Sequence, residues 1–313
     1  MAQDFRSLFE KADMALGELT SNGGVLQPAQ AAKFVAKILR RAVVLPMART
    51  VTMNAPKQLV EKIGFTTRVM RAGTARTALS VNDRSKPVTE KVELDSKYLK
   101  AEVRLDTAIL EDSIERGNLR TTIMNRLLDA VPRDLDELAV NGDTTSSDTY
   151  LAVMDGYVKL ATSHTYDAND AELSGDVLRL LLRQIPVQYR RSLEDMAFLT
   201  GWNAEVEYRN TFGQRVGMDA YLLENKRIQY SGIPLVPVDV HLETLGTNSD
   251  QTTVLLSPRQ NMLIGFWRQV SIKTDEDISS DEIIVVVTLR MAVQYEEEDA
   301  VAKATEVRVP LAA

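Results

Sequence analysis

Cysteine is absent from all 313 residues, which removes disulfides, thiolate metal sites and thiol nucleophiles together. Histidine is nearly absent. His164 and His241 are the only two, so an imidazole zinc site or a Ser–His pair has just two candidates. Neither lies beside a nucleophile motif, and each reads as an ordinary surface or hydrogen-bonded histidine. Long apolar runs are missing too: the longest aliphatic run, Ile283–Val287, falls far short of the ~20 residues of a membrane helix. The first residues mix Asp4 and Glu10 with apolar positions, unlike a signal peptide. A soluble, intracellular chain with no membrane partner is expected. Positive charge is in deficit, with 37 Lys+Arg against 44 Asp+Glu, so the net charge is −7. Nucleic-acid binding by bulk phosphate neutralisation is therefore disfavoured. No Walker A loop, GxGxxG, GxSxG, HExxH or paired-Cys motif is present. No catalytic residue, cofactor or metal is expected, and no enzyme.

What remains is ordinary globular material, 44% hydrophobic and 26% charged, long enough for two lobes or one large domain. Phe5, Leu8, Phe9, Ala12, Leu16 and Leu19 form one apolar stripe at helical spacing, which Ser21-Asn22-Gly23-Gly24 stops. A second stripe, Ala31, Phe34, Val35, Ile38, Leu39 and Ala42, starts after Pro28 and runs into Arg40 and Arg41. Two amphipathic helices ahead of the first strand read as an arm that docks elsewhere.

From Val43 to Leu105 the pattern is β, with strands expected at Val51–Met53, Gly64–Met70, Val88–Leu94 and Tyr98–Leu105. Arg71–Pro87, small and polar, connects the middle two. The span Lys62–Lys91 holds seven basic and two acidic residues, so it carries +5 and the rest of the chain −12. Three readings compete for this hairpin: a solvated loop, a nucleic-acid arm, or a strap onto an acidic neighbour. Complementary charge on the body favours the strap.

A short helical stretch at Thr107–Ile114 precedes a long helix from Asn118 to Asn141, closed by Gly142. Pro132 sits inside it. The apolar stripe keeps its phase across the proline, which favours one bent helix over two. Residues 142–175 are loop-rich. Helices at Asp176–Gln184 and Asn203–Thr211 then alternate with strands at Met196–Thr200, Ile233–Val240 and Val254–Leu256, the mark of an α/β lobe. Trp202, Tyr208 and Phe212 read as core positions of the second helix. Strands at Val270–Lys273 and Ile283–Tyr295 follow, flanked by Asp275–Asp277 and Glu296–Asp299. Asp275–Asp277 with Asp281 and Glu282 has hard-cation ligand types but no glycine at the turn. The plainer reading of both acidic groups is solvated loop.

The order of segments resembles the major capsid proteins of tailed bacteriophages, the Hong Kong ninety-seven type, from Gly23 to about Val307. The residues that carry the resemblance are Gly23–Pro28, Arg40–Leu45, Ala48–Val51, the hairpin 62–91 and Leu138–Asp143. Further along, Leu178–Ile185, Tyr189-Arg190, Met196–Asn203, Gly232–Val236 and Arg290–Val293 continue it. It implies an α+β fold: an N-terminal arm (1–55), an extended β-hairpin loop (56–97), and a peripheral domain with spine helix 118–141 (98–156). An axial α/β domain (157–270) follows, then return strands of the peripheral domain and a tail (271–313).

It also implies an icosahedral shell of pentamers and hexamers enclosing double-stranded DNA without sequence-specific binding, assembled in the host cytoplasm as part of a virion. Implied partners are copies of itself, a separate scaffolding protein and a portal, with room for a decoration protein. The expected inter-subunit contacts are Arg68, Arg71, Arg76, Arg84, Lys86 and Lys91 on the hairpin, against Asp275, Asp277, Asp281 and Glu282. Some family members weld the shell by a Lys–Asn isopeptide bond; Asp277–Ile284 contains no Asn, so no cross-linking is expected. Only about 20 residues precede Gly23, so cleavage of an N-terminal scaffolding segment is not expected. An encapsulin-like bacterial nanocompartment is the alternative within the same fold.

Overall fold

A computed structural model describes residues 42–64, 69–70, 72–73, 76, 78–80, 84–106, 119–190, 193–216, 228–246, 249–267, 271–277 and 280–309. The chain enters through β1 (Arg49–Met53) and a hairpin of β2 (Lys57–Gly64) and β3 (Val88–Asp95), then β4 (Lys97–Asp106) and the long helix α1 (Leu119–Asn141). The single turn α2 (Tyr157–Leu160), β5 (Thr165–Asp167), α3 (Gly175–Gln184), β6 (Met196–Thr200) and α4 (Trp202–Val216) follow. The remaining strands are β7 (Gln229–Tyr230), β8 (Ile233–Pro237), β9 (Gln251–Pro258), β10 (Met262–Trp267), β11 (Ser271–Asp277), β12 (Glu282–Tyr295) and β13 (Ala302–Arg308).

One sheet is organised by β12. On one edge it pairs antiparallel first with β11 and then with β10; on the other it pairs with β4, while β1 lies parallel to β10. Period-two alternation decides its faces. Val285, Val287, Leu289, Met291 and Val293 face the main core with Leu99, Ala101 and Val103 of β4. Tyr98, Lys100, Glu102 and Arg104 alternate with them and are exposed. On the outer face the base of the hairpin packs, with Leu94 and Val60 against Met53, Leu263 and Ala292.

The second sheet has the order β5-β13-β9-β6-β8-β7. α3 covers one face through Val177, Leu178 and Leu181, which join Phe198, Leu256 and Val307. From the other face Ala197, Leu199, Val236 and Leu255 join the same core as Leu135, Leu138 and Ala139 of α1. α1 is thus a wall shared by both sheets. It runs unbroken through Pro132, as the constant phase of its apolar positions predicts. Gly142 ends it for a different reason than expected. Its backbone is not left-handed; a Cβ there would stand 2.4 Å from the Met154 carbonyl oxygen, so only glycine permits the close approach.

Several boundaries differ from expectation. The first hairpin strand is Lys57–Gly64, whose ladder forms opposite Val88–Asp95; of the expected Gly64–Met70, residues 65–68 lie outside the described residues and 69–70 are not strand. Thr107–Ile114 lies outside the described residues. The strand expected at Ile233–Val240 ends at Pro237, and that at Val254–Leu256 lengthens to Gln251–Pro258. Asp275–Asp277 is strand, paired with Glu282–Ile284, not loop. Trp202 is 51% exposed at the start of α4, while Tyr208 is buried as expected.

Sheet membership also crosses the expected domain limits. β10, inside 157–270, belongs to the β12 sheet, and β13, inside 271–313, pairs with β9 and β5 in the other. Backbone pairing sets this. Ala302, Ala304 and Val307 are small enough to lie under α3, and a bulge with Glu306 at φ 54° lets the strand keep pairing.

His241 is buried, with Nε2 3.4 Å from the Thr253 hydroxyl and no partner at Nδ1. This corrects the expectation of a surface or fully hydrogen-bonded side chain. Burial pushes its pKa down to about 4. Between pH 6.5 and 4 the unfolded chain therefore binds the extra proton, and stability falls as pH falls. Lowering the pH from 7 to 5 is expected to cost about 2 kcal/mol through this group. Guanidinium unfolding of the parent chain and of His241→Leu at both pH values checks this; equal pH dependence in the two would refute it.

Candidate inter-subunit surface

The arm joins the body at an irregular turn. The backbone N–H groups of Val43, Val44 and Leu45 have no strand or helix to bond, and all three donate to the Asp136 carboxylate of α1, at 2.5, 3.3 and 3.0 Å. Asp136 is 2% exposed. Burial pushes its carboxyl above the usual range, and the three amides pull the other way by stabilising the anion. Nothing in the sequence distinguishes Asp136 from the exposed acids beside it on α1 except its place on the buried stripe with Leu135 and Ala139.

The hairpin is a two-stranded sheet of its own, from Lys57↔Asp95 to Gly64↔Val88. Its stem is zipped by charge across the ladder: Lys57 to Glu93 at 2.8 Å, Lys62 to Glu90 at 2.9 Å, and Lys91 to Glu61 at 3.2 Å. Lys62 also bonds Glu297 of the body. Burial opposes its charge, yet the hydrogen bonds to Glu297 and Glu90 outweigh it and hold the ammonium above the usual lysine range. Glu297 is itself fixed, its backbone N–H donating to Asn261 Oδ1 and its carbonyl accepting from Asn261 Nδ2, both at 2.7 Å. Glu296 pairs with Arg49 at 3.0 Å, and Glu298 accepts the Thr162 and Ser163 amides at 2.9 and 3.1 Å. The reading of Glu296–Asp299 as a solvated run is thus corrected: three adjacent carboxylates hold three different segments.

Of the expected contact residues, Arg68 and Arg71 lie outside the described residues. Lys91 is spent within the stem. Arg76, Arg84 and Lys86 are exposed beyond it, and no carboxylate pairs with them among the described residues. Arg84 Nε donates to the Leu79 carbonyl at 3.2 Å, and Arg76 is held at φ 62°. Apolar side chains stand exposed with them, Met70 at 84% and Val69 at 49%. Asp275, Asp277, Asp281 and Glu282 do come together, at the turn between β11 and β12, where Arg104 reaches Glu282 at 3.5 Å. The hairpin root, beside the Lys97↔Met291 pair, lies nine residues along β12 from Glu282 at the acidic turn, roughly 30 Å at ~3.3 Å per residue. No group of three or more metal-ligating side chains is found among the described residues.

A family model described as the phage capsid family matches residues 22–305. The chain belongs to the phage capsid family. A putative prophage capsid protein, YqbE, of Bacillus subtilis (strain 168) is 34% identical over 308 residues, covering 97% of this chain and 99% of the relative. Among solved structures, the satellite phage P4 procapsid including size determination (Sid) protein matches with a TM-score of 0.61 at 14% identity, over 99% of each chain. The holo-SrpI encapsulin complex from Synechococcus elongatus PCC 7942 matches with a TM-score of 0.58 at 14% identity, over 95% of this chain and 97% of that one. These likenesses place the capsid protein in the phage capsid fold. It is a shell protein, a component of a virion.

In this capsid protein Asp136→Ala leaves three amides, two of them buried, without an acceptor. It is expected to destabilise the chain by about 3 kcal/mol or more. A change below about 1 kcal/mol in denaturant unfolding would show that the turn finds other partners.

Proposed function

We propose that this protein is the major subunit of the icosahedral head of a tailed bacteriophage, forming pentamers and hexamers that enclose double-stranded DNA. Its role is structural, not catalytic. Assembly takes place in the host cytoplasm on a separate scaffolding protein around a portal, with decoration proteins added outside. The observation that carries the reading is the hairpin. It forms a sheet of its own, and beyond the paired stem it exposes Met70, Val69, Arg76, Arg84 and Lys86. A ribbon of this kind gains burial and counter-charge only on another molecule. The acidic turn carrying Asp275, Asp277, Asp281 and Glu282 supplies the complementary surface on a neighbouring copy. The domain division 1–55, 56–97, 98–156, 157–270 and 271–313 describes the parts that move and dock, although the two sheets exchange strands across it.

Exposed ion pairs contribute ~0–1 kcal/mol each, so they set register while apolar contacts and multivalency hold the shell. The triple variant Arg76→Glu, Arg84→Glu, Lys86→Glu is therefore expected to fold normally by circular dichroism. It should lose particles in electron micrographs under conditions where the parent forms them. Undiminished particle yield would remove the strap from the reading.

The likeness to an encapsulin supports a second reading within the fold, a nanocompartment shell. Purified particles holding DNA support the phage head, and particles holding a folded enzyme support the compartment. No covalent ladder is expected on a denaturing gel in either case, because Asp277–Ile284 offers no Asn.

A further inference from the structure

The hairpin meets the body through side chains. Its two strands form a separate sheet, and among the described residues no backbone ladder joins them to either larger sheet. Period two decides which side chains can make the contact. Gln58, Val60 and Lys62 of β2 share one face with Leu94, Val92 and Glu90 of β3. Leu59, on the opposite face, is 52% exposed. Near the root, Leu94 and Val60 pack with Met53, Leu263 and Ala292. Two residues further out, Lys62 bonds Glu297. The next position of β2 on that face is Gly64, which has no side chain to offer. Lys62 is therefore the outermost tie of β2 to the body among the described residues.

Both members of that tie have a second partner. Lys62 also stands 2.9 Å from Glu90 across the ladder. The Glu297 carboxylate lies within hydrogen-bond reach of the Tyr189 hydroxyl, on the short turn Val187–Tyr189. The Asn261 side chain holds both the N–H and the carbonyl of Glu297, so the carboxylate starts from an anchored backbone. When the Lys62–Glu297 contact opens, neither charge is stranded, and the heavy penalty of leaving an ion unpaired does not arise. The two side chains are 24% and 28% exposed, so water reaches both. A partly solvated ion pair with substitutes at hand costs little to open.

We infer that Lys62 and Glu297 form a reversible latch on the hairpin. Closed, it sets the direction in which the ribbon leaves the body. Open, it lets the stem from Lys62 outward swing away from Glu297 while β2 and β3 stay paired with each other. The apolar contact of Val60 and Leu94 is the pivot. The latch belongs to the single chain, whatever the hairpin meets elsewhere.

The absence of cysteine lets two probes be placed without background. Thr89→Cys on the exposed side of the stem and Gln184→Cys at the end of α3 carry spin labels. The labelled full-length chain is diluted with unlabelled chain, so that only distances within one molecule are read. The parent is expected to give one narrow distance distribution. Glu297→Gln and Lys62→Met should each widen it about twofold or more, as a second population with the stem displaced appears. Glu90→Gln, which removes only the partner across the ladder, should leave it narrow. Lys62 lies outside every apolar cluster, so Lys62→Met keeps the test decisive if circular dichroism shows that Glu297→Gln disturbs the fold.

A distribution as narrow in Lys62→Met as in the parent overturns the latch and leaves the apolar pivot as the whole attachment. Equal broadening in Glu90→Gln overturns it too, because the pairing within the stem then accounts for the effect. A parent distribution already as broad as that of the variants shows no closed state and does the same.

Discussion

A single buried carboxylate determines how the arm meets the body. Among the described residues no cation pairs with Asp136; three backbone amides of Val43–Leu45 compensate its charge, and those of Val44 and Leu45 would otherwise be orphaned in the core. Each side of this contact supplies what the other lacks. Because the acceptor sits on α1, and α1 is packed against both sheets, the turn at 43–45 is tied to the helix that both sheets share. β1 begins at Arg49, a few residues later, and pairs parallel with β10. The arm's root, the helix and the edge of the sheet thus form one body, and whatever precedes Ala42 departs from a fixed point.

β12 plays the corresponding part for the surfaces. Its fourteen residues carry the hairpin root near one end and the acidic turn at the other. The stem's lysines are consumed by glutamates across the ladder, so the stem is electrically quiet and the free positive charge lies beyond it. The acidic turn lies at the far end of β12 from the hairpin root.

The periodic elements were legible in the sequence because their periods are set locally. The apolar phase carried α1 through Pro132, and alternation in Ile283–Tyr295 marked β12 to within one residue. What depended on partners far along the chain was not. Gly64–Met70 has the composition of a strand, but the ladder forms with Lys57–Gly64, whose charges suit the opposite strand. The 302–308 strand reads as a tail because alanines give little signal, and its value lies in fitting beneath α3. Glu296–Glu298 looked like a solvated run because nothing nearby in sequence shows that Arg49, Lys62 and the Thr162 turn converge there. Asp275, Asp277, Asp281 and Glu282 lie about one turn because they are near in sequence, while Asp136, Lys62 and Glu297 have no comparable local signature. A buried acid on a helix differs from a surface acid only in the neighbours that the fold brings to it.

The same distinction bears on assembly. A shell that closes correctly needs contacts weak enough to separate after a misplaced docking, yet numerous enough to hold once closed. Contacts between exposed charges, each weak by itself, have that character. A cysteine-free chain adds no disulfide that would fix an error in place. The strong interactions, Asp136 with its amides and the three hydrophobic clusters, are kept inside the subunit. Arg76, Arg84 and Lys86 are left exposed at its surface, where single contacts are weak and reversible.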